Sequence, residues 1–363
     1  MITAILARRR ILLAKQSGEV PSTDMVLLIN SPNTGDFSVT TNYGTFTAAK
    51  VSDYPYLGTT VTHKLAMRDV AFSTGQRISD DSAVRGLFVG VESWGTSNTY
   101  TNTSNLFYQC SSLRGIPASW EGLGAVNNSI GMFAFCTSLT SVPSSWEGLG
   151  MLTDAIGMFS NCTSLTSVPS SWEGLGMLTN AIGMFGSCPS LTSVPSSWEG
   201  LGMLTNAINM FGSCTSLTSI PASWTGLGAL TIATDMFRGC NALASIPDSW
   251  EGLAKVTSPN SMFAFCTSLT SIPSSWAGLV EVTDASEMFY GCTSLSNCGT
   301  IFTGLAKATN VAYLFQYCAG MQGDIHALYV YLSTKPIAVT DFERCFQNCT
   351  QAVGYGSIPS SWK

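Results

Sequence analysis

The chain has 363 residues, of which 45% are hydrophobic and only 10% carry a charge, against roughly 25% in ordinary soluble domains. Its net charge of −6 offers no basic stripe for a nucleic-acid backbone, so the composition argues against nucleic-acid binding. It has two histidines and no Cys-x₂-Cys spacing among twelve cysteines. The sequence therefore predicts no metal site, no cofactor and no catalytic residues.

Residues 1–20 combine a short apolar sequence with three consecutive arginines. The arginines interrupt the apolar run instead of preceding it, so the segment is neither a typical secretory signal nor long enough for a membrane span. We predict an N-terminal docking arm or helix that anchors the chain to a neighbouring protein, with a membrane-surface helix as the alternative. The candidate anchor residues are Ile5, Leu6, Arg8, Arg9, Arg10, Leu12 and Leu13.

Residues 21–85 alternate between apolar and polar residues at a strand period. Strands are predicted at Met25–Ile29, Phe37–Thr41 and Thr60–Thr62, with a Pro/Asn/Gly turn at 31–35. We interpret the segment as a small β-sandwich-like anchoring domain, weakly similar to immunoglobulin-like modules.

A strict 26-residue period dominates the rest of the chain. Tryptophans from Trp94 to Trp276 and phenylalanines from Phe107 to Phe289 keep the same step as nine cysteines. A fixed period of this size indicates one supersecondary unit stacked on its own copies, so a solenoid is predicted over residues 86–363. The nine cysteines are Cys110, Cys136, Cys162, Cys188, Cys214, Cys240, Cys266, Cys292 and Cys318.

Each unit contains signals for a strand, a turn and a helical return. In one copy the β-branched run Leu165–Val168 is ended by Pro169, since proline cannot donate a ladder hydrogen bond. Glu173–Gly176 follows with turn residues, and Met177–Phe185 has an apolar spacing that suits one or two helical turns. The predicted fold is an α/β solenoid of leucine-rich-repeat type, with short parallel strands and short helical returns, behind the small N-terminal β domain.

The repeated signature is Met-Phe-x-x-Cys-x-Ser-Leu-x-x-[Val/Ile]-x-x-x-Trp, as in residues 158–172. It resembles the bacterial-surface 26-residue repeat, a family related to the BspA-type leucine-rich repeats and to mycoplasma-type surface lipoproteins. The resemblance covers residues 86–363. It implies an extracellular adhesion or recognition role and supplies no catalytic residues.

The period fails once, after Cys318. The next cysteine in phase is Cys349, five residues later than expected. We predict a helix near Asp324–Leu332 in this insertion and an irregular C-terminal cap over residues 319–363, because a solenoid must shield its open end.

A uniform column of cysteines has no pairing preference, so we interpret the ladder as free thiols packed in the core. Cys298, Cys345 and Cys349 stand outside the regular ladder, and one disulfide among them remains open from the sequence.

The tryptophan column could be a sugar-stacking platform, but its phase with Leu and Phe favours the core. The Ser/Thr columns are the candidate binding face, for a glycan or a protein, with a merely solvated face and ice binding as alternatives. The candidate residues are Thr140, Ser141, Thr166, Ser167, Thr192, Ser193, Thr218 and Ser219.

These features predict a non-enzymatic recognition or structural protein. A surface-type solenoid without a typical signal peptide suggests release by lysis, so the first hypothesis is a bacteriophage virion component: a tail fibre, a receptor-binding protein or a capsid-decorating protein. The alternative is a bacterial cell-surface adhesin. The expected partners are other virion or surface proteins at the N-terminal region and a host glycan or protein on the solenoid. A homo-oligomer or large assembly is expected, without a transmembrane segment.

Overall fold

The computed structural model describes most of the repeats and part of the N-terminal region. The N-terminal arm with its anchor residues, the predicted turn after Ser31, and two ladder tryptophans, Trp250 and Trp276, lie outside the described residues. The described residues are 25–31, 37–50, 61–67, 71–72, 76–95, 98–248, 251–272, 278–298 and 303–363.

The described N-terminal residues form a five-stranded antiparallel sheet in the order β2-β3-β4-β1-β6, and a parallel pair of β5 and β7. Leu27 and Ile29 of β1 are fully buried, as the period of two requires for one covered face. The strands are β1 (Met25–Ser31), β2 (Phe37–Thr41), β3 (Gly44–Lys50), β4 (Val61–Met67), β5 (Ala71–Phe72), β6 (Phe88–Ser93) and β7 (Thr99–Tyr100).

The first two predicted strands are confirmed, and the third runs from Val61 to Met67. The described strands form one sheet and a short parallel pair, rather than the two stacked sheets of a sandwich. One edge of the sheet is β6, which belongs to the first coil by sequence but pairs with β1. Gly90 of β6 also bridges in parallel to Gly115 of the next coil, so the sheet and the repeats share one continuous core.

The coils stack in register with a step of 26 residues, which confirms a solenoid. Isolated parallel bridges join Asn128 to Asp154, Asp154 to Asn180 and Asn180 to Asn206. The predicted strands and helical returns are wrong for these coils. Between Asn102 and Asn297 the described residues contain single bridges and turns, with no strand of two or more residues and no helix.

Left-handed backbone explains why the predicted helical return does not form. Two positions in each coil, four residues apart, have φ between 52° and 70°. Around them, alternate backbone N–H groups donate hydrogen bonds to the next coil. Gly157 N donates to Ile182 O at 2.7 Å, and Phe159 N donates to Met184 O at 2.9 Å. An α-helix needs every one of these groups for its own ladder. The first column is Asn105, Gly131, Gly157, Gly183, Asn209, Asp235, Ser261, Glu287 and Tyr313; the second is Gln109, Phe135, Asn161, Ser187, Ser213, Gly239, Phe265, Gly291 and Tyr317.

Two aromatic stacks run through the core. The rings of Phe133 and Phe159 stack at 5.3 Å, and those of Trp146 and Trp172 at 6.1 Å. Each described tryptophan from Trp94 to Trp224 is at most 2% exposed. The prediction that the tryptophan column is core is therefore confirmed, and these rings are closed to a ligand.

The cysteine ladder is a third column of the core. All twelve thiols are free and buried. Cys162 Sγ donates a hydrogen bond to Phe133 O of the preceding coil at 3.2 Å. Cys188 and Cys214 donate in the same way to the carbonyl oxygens of Phe159 and Phe185. Burial, which disfavours the thiolate, raises the pKa of Cys162 to about 12. The cysteines thus act as small packed residues that also link neighbouring coils.

The insertion after Cys318 forms a helix, as predicted: Ile325–Thr334, with Asp324 as N-cap. Buried Lys335 follows it and donates from Nζ to Ala308 O at 2.7 Å. Trp362 stacks on Phe342 at 4.4 Å and covers the last coil. The other described helices are short: Ser82–Arg85 and the 3₁₀ segments Thr303–Leu305, Tyr355–Ser357 and Ser360–Trp362.

Among the described residues, no helix combines the length and apolar character needed to cross a membrane.

Candidate functional site

The predicted Ser/Thr face is a real surface of the solenoid. Its members recur every 26 residues on coils that stack in register, so they form two adjacent rows. The eight exposed residues are Thr140, Ser141, Thr166, Ser167, Thr192, Ser193, Thr218 and Ser219.

Three of the four threonine hydroxyls of this face are already used within the fold. Thr166 Oγ1 donates to Thr140 O at 3.2 Å, and Thr192 Oγ1 donates to Thr166 O at 3.3 Å. A second threonine column repeats the arrangement, with Thr179 Oγ1 donating to Thr153 O at 3.0 Å. The hydroxyl protons of Thr166, Thr192 and Thr218 therefore each fasten one coil to the preceding one, which leaves these three hydroxyls only acceptor capacity for a ligand.

Replacing Thr166 by Val should lower the free energy of unfolding by about 1 kcal/mol, because it removes one inter-coil hydrogen bond at nearly constant volume. Replacing the neighbouring exposed Ser167 by Ala should change it by less than about 0.5 kcal/mol. Urea unfolding of both variants measures the difference. Equal effects of the two substitutions would contradict a structural role for the threonine hydroxyls.

A second surface breaks the regularity of the repeat, and sequence reasoning missed it. It is an open cleft of about 770 Å³ across three coils, which we call the Arg238 cleft. Its principal lining residues are Asn209, Ser213, Asp235, Arg238, Asn241 and Phe265.

The left-handed columns build this cleft. Gly239 has φ +70° and no side chain, and it lies in the column between Ser213 and Phe265. A Cβ at Gly239 would meet Ser213 atoms, the nearest at 3.5 Å, which is ordinary van der Waals contact without a clash. With its amide oriented to satisfy both groups, Asn241 donates from nitrogen to Gly239 O at 3.0 Å and Phe265 O at 2.9 Å. The floor of the cleft is therefore hydrogen-bonded backbone.

The polar groups of the cleft keep unused hydrogen-bonding capacity. Arg238 Nη1 lies 3.7 Å from Asp235 Oδ1, which is within ion-pair range but too long for a charged hydrogen bond. Burial raises the pKa of Asp235 above its usual value, with Arg238 opposing the shift and Glu287 adding to it. The guanidinium also lies over the Phe265 ring, 5.4 Å from its centre.

Aromatic rings continue from the cleft toward the C-terminus. Phe265 and Tyr290 meet edge to face at 5.0 Å, and Tyr290 and Tyr317 at 5.4 Å. Phe265 is 39% exposed and Tyr317 is 44% exposed. We call Phe265, Tyr290 and Tyr317 the aromatic row.

A comparison of equivalent positions could have found the cleft from the sequence. The position of Arg238 is occupied by Ser160, Gly186 and Gly212 in earlier coils. A charged residue where the three preceding coils have small residues is the signal. Its contact with Asp235 and Phe265 could not be foreseen, since it depends on the left-handed backbone.

The chemistry of the described surface does not extend to a metal site. No group of three or more His, Cys, Asp or Glu side chains within the described ranges could hold a metal ion. His326, in the C-terminal insertion, makes an edge contact with the Tyr329 ring at 5.9 Å.

These features define the protein's class as a repeat solenoid with an inert core and a variable outer surface. The family described as "Mycoplasma protein of unknown function, DUF285" matches residues 80–198, 205–328 and 257–354, well over half of the chain. The chain belongs to this family. The resemblance to mycoplasma-type repeats, stated from the signature alone, is thereby confirmed.

A solved structure also aligns with the chain: a leucine-rich cell surface protein from Faecalibacterium prausnitzii A2-165. The alignment covers 80% of this chain and 95% of that chain, at 16% identity and a TM-score of 0.30. This likeness is too low to transfer that protein's role. The comparison with curated proteins gives no match.

Proposed function

We propose that this protein is a non-enzymatic recognition or adhesion protein displayed on a bacterial cell surface. One observation carries the proposal: the core columns persist from coil to coil, while the outward positions diverge locally to form the Arg238 cleft and the aromatic row. A solenoid core sets the shape of the stack, and its outward positions are free to acquire binding contacts.

The chemistry of the side chains favours binding over catalysis. Burial raises the pKa of the ladder thiols, so they are poor nucleophiles at neutral pH. The Arg238 cleft combines a guanidinium, a carboxylate, amides and an aromatic ring, which are groups suited to holding a polar ligand.

The cell-surface role is preferred to the virion hypothesis drawn from the sequence. The matching family is described by a cellular source, mycoplasma, and the repeat signature of this chain resembles that of bacterial-surface repeats. The description of the family names neither a tail fibre nor a capsid.

Antibody labelling of intact cells of the bacterium that encodes the protein tests this role. The proposal expects labelling of intact cells at a level close to that of permeabilised cells, and loss of the signal after brief external protease treatment. An antibody to a ribosomal protein, which should label only permeabilised cells, controls for leakage. Labelling confined to permeabilised cells would disprove surface display, and labelling of purified virions would restore the virion hypothesis.

A further inference from the structure

We propose that the Arg238 cleft binds a neutral oligosaccharide, with Arg238 and Asp235 holding neighbouring hydroxyl groups of one sugar ring and the aromatic row supporting the sugars that follow. This inference rests on the proposed recognition function and names its ligand class.

The first support is the placement of donors and acceptors. A sugar presents adjacent hydroxyl groups that each donate and accept, so a matching site needs donors and acceptors side by side. Arg238 supplies donors only, and an ionised Asp235 supplies acceptors only. Their separation of 3.7 Å leaves both groups short of a full hydrogen bond with each other. A ligand hydroxyl pair would complete both sets.

The second support is the shape. The cleft is open and broad instead of deep, and bare backbone at Gly239 forms its floor. A sugar ring is flat and polar at its rim, so it fits such a surface better than an apolar side chain does. Phe265 lies at one edge and is 39% exposed, and the part of its ring that Arg238 does not cover is the aromatic surface on which the C–H groups of a sugar can pack.

The third support is the continuation along the solenoid. Tyr290 and Tyr317 follow Phe265 on the next two coils, with ring centres 5.0 and 5.4 Å apart. A chain of sugars leaving the cleft toward the C-terminus would therefore meet successive rings. A single sugar would use the cleft alone, so a longer oligosaccharide should bind more tightly.

Charge and polarity distinguish this ligand from two others. The two negative charges of Asp235 and Glu287 exceed the one positive charge of Arg238, and the whole chain has a net charge of −6. Both disfavour an acidic glycan. A peptide ligand would be expected to insert an aromatic or aliphatic anchor into an apolar pocket. Phe265 is the principal apolar contribution to a lining otherwise made of polar side chains and Gly239.

Two variants test the cleft without relying on one substitution. Arg238→Ala removes the hydroxyl donors. Gly239→Phe fills the cleft, and the fold should accept it because Phe135 and Phe265 occupy the same left-handed column at φ +62° and +61°. The matched control is Phe135→Ala, since Phe135 is 38% exposed against 39% for Phe265 but lies several coils away from the cleft.

The experiment applies the full chain to an array of immobilised neutral and acidic oligosaccharides and measures the affinity of the best binder by calorimetry. Circular dichroism confirms folding of each variant. We expect binding to neutral glycans, weakened about tenfold or more by Arg238→Ala and by Gly239→Phe, and changed less than about twofold by Phe135→Ala.

Three results would overturn the inference: no binding to any neutral glycan, with or without binding to acidic ones; neutral-glycan binding that survives both cleft variants; and binding to protein ligands without any glycan. The last result, together with surface labelling of intact cells, would leave the proposed function intact. Conversely, glycan binding in the cleft combined with an intracellular location would uphold the site and reject surface display.

Discussion

Raising the pH from about 8 to about 10 is expected to unfold the solenoid. Each ladder thiol is protonated in the folded protein because burial raises its pKa, to about 12 for Cys162, Cys214 and Cys266, from an ordinary value of 9.0. The unfolded chain loses these protons from about pH 9 upward, where thiols ionise in water. Between the two pKa values the unfolded state therefore binds fewer protons than the folded state.

The sign of the effect follows from proton linkage. A state that releases protons becomes more favourable as the pH rises, so the stabilisation that the thiols provide is complete below pH 9 and is lost above it. Between the two pKa values, each ladder thiol lowers the free energy of unfolding by about 1.4 kcal/mol for every pH unit. For the whole ladder the loss at pH 10 is on the order of 10 kcal/mol, comparable to the total stability of a typical domain.

Urea unfolding followed by circular dichroism between pH 7 and pH 10 measures this loss. The control is a variant with Cys162, Cys188 and Cys214 all changed to Ala, which removes three titrating groups. The free energy of unfolding of this variant will be lower at every pH. Above pH 9, however, it should fall less steeply with pH, by about 4 kcal/mol per pH unit. An unchanged slope would refute the thiol ladder as the source of alkaline sensitivity.

Replacing Gly174 by Ala is expected to destabilise the protein by at least about 2 kcal/mol. Gly174 has φ +94°, which L-residues rarely adopt, and its Cβ would lie 2.5 Å from Trp146 C and O. Backbone atoms of a packed coil cannot turn aside as a flexible side chain could. The substitution must therefore push neighbouring coils apart and disturb the aromatic stacks.

The same turn supplies a matched control in Gly176. A Cβ at Gly176 would meet no atom within 4 Å, so Gly176→Ala should be neutral or stabilise by up to about 1 kcal/mol by restricting the unfolded chain. Thermal unfolding of both variants is the measurement. If the two substitutions shift the midpoint equally, close backbone approach at Gly174 is not what fixes the coil spacing.

Part of the fold could be predicted because it depends on periodicity alone. The 26-residue step, the buried tryptophans and the capped helix after Asp324 each follow from residue spacing or local chemistry. The strands and helical returns of each coil were predicted wrongly, because local propensity was read without the inter-coil hydrogen bonds that compete for the same N–H groups.

The candidate site shows the same division. The Ser/Thr rows were predicted as an exposed face and are exposed, but the use of the threonine hydroxyls in the fold was missed, since their acceptors are 26 residues away. Arg238 is an anomaly visible in the repeat, whereas its position between Asp235 and Phe265 arises only after the coils stack.

The sequence by itself determined that this protein is a solenoid of the mycoplasma-type repeat family with a packed cysteine column. The reason is that one 26-residue unit cannot bury its apolar residues alone, so identical units must stack. The tertiary structure alone decided the path of each coil and the place of the cleft. Left-handed residues send alternate N–H groups to the next coil, and that choice determines which outward side chains become neighbours.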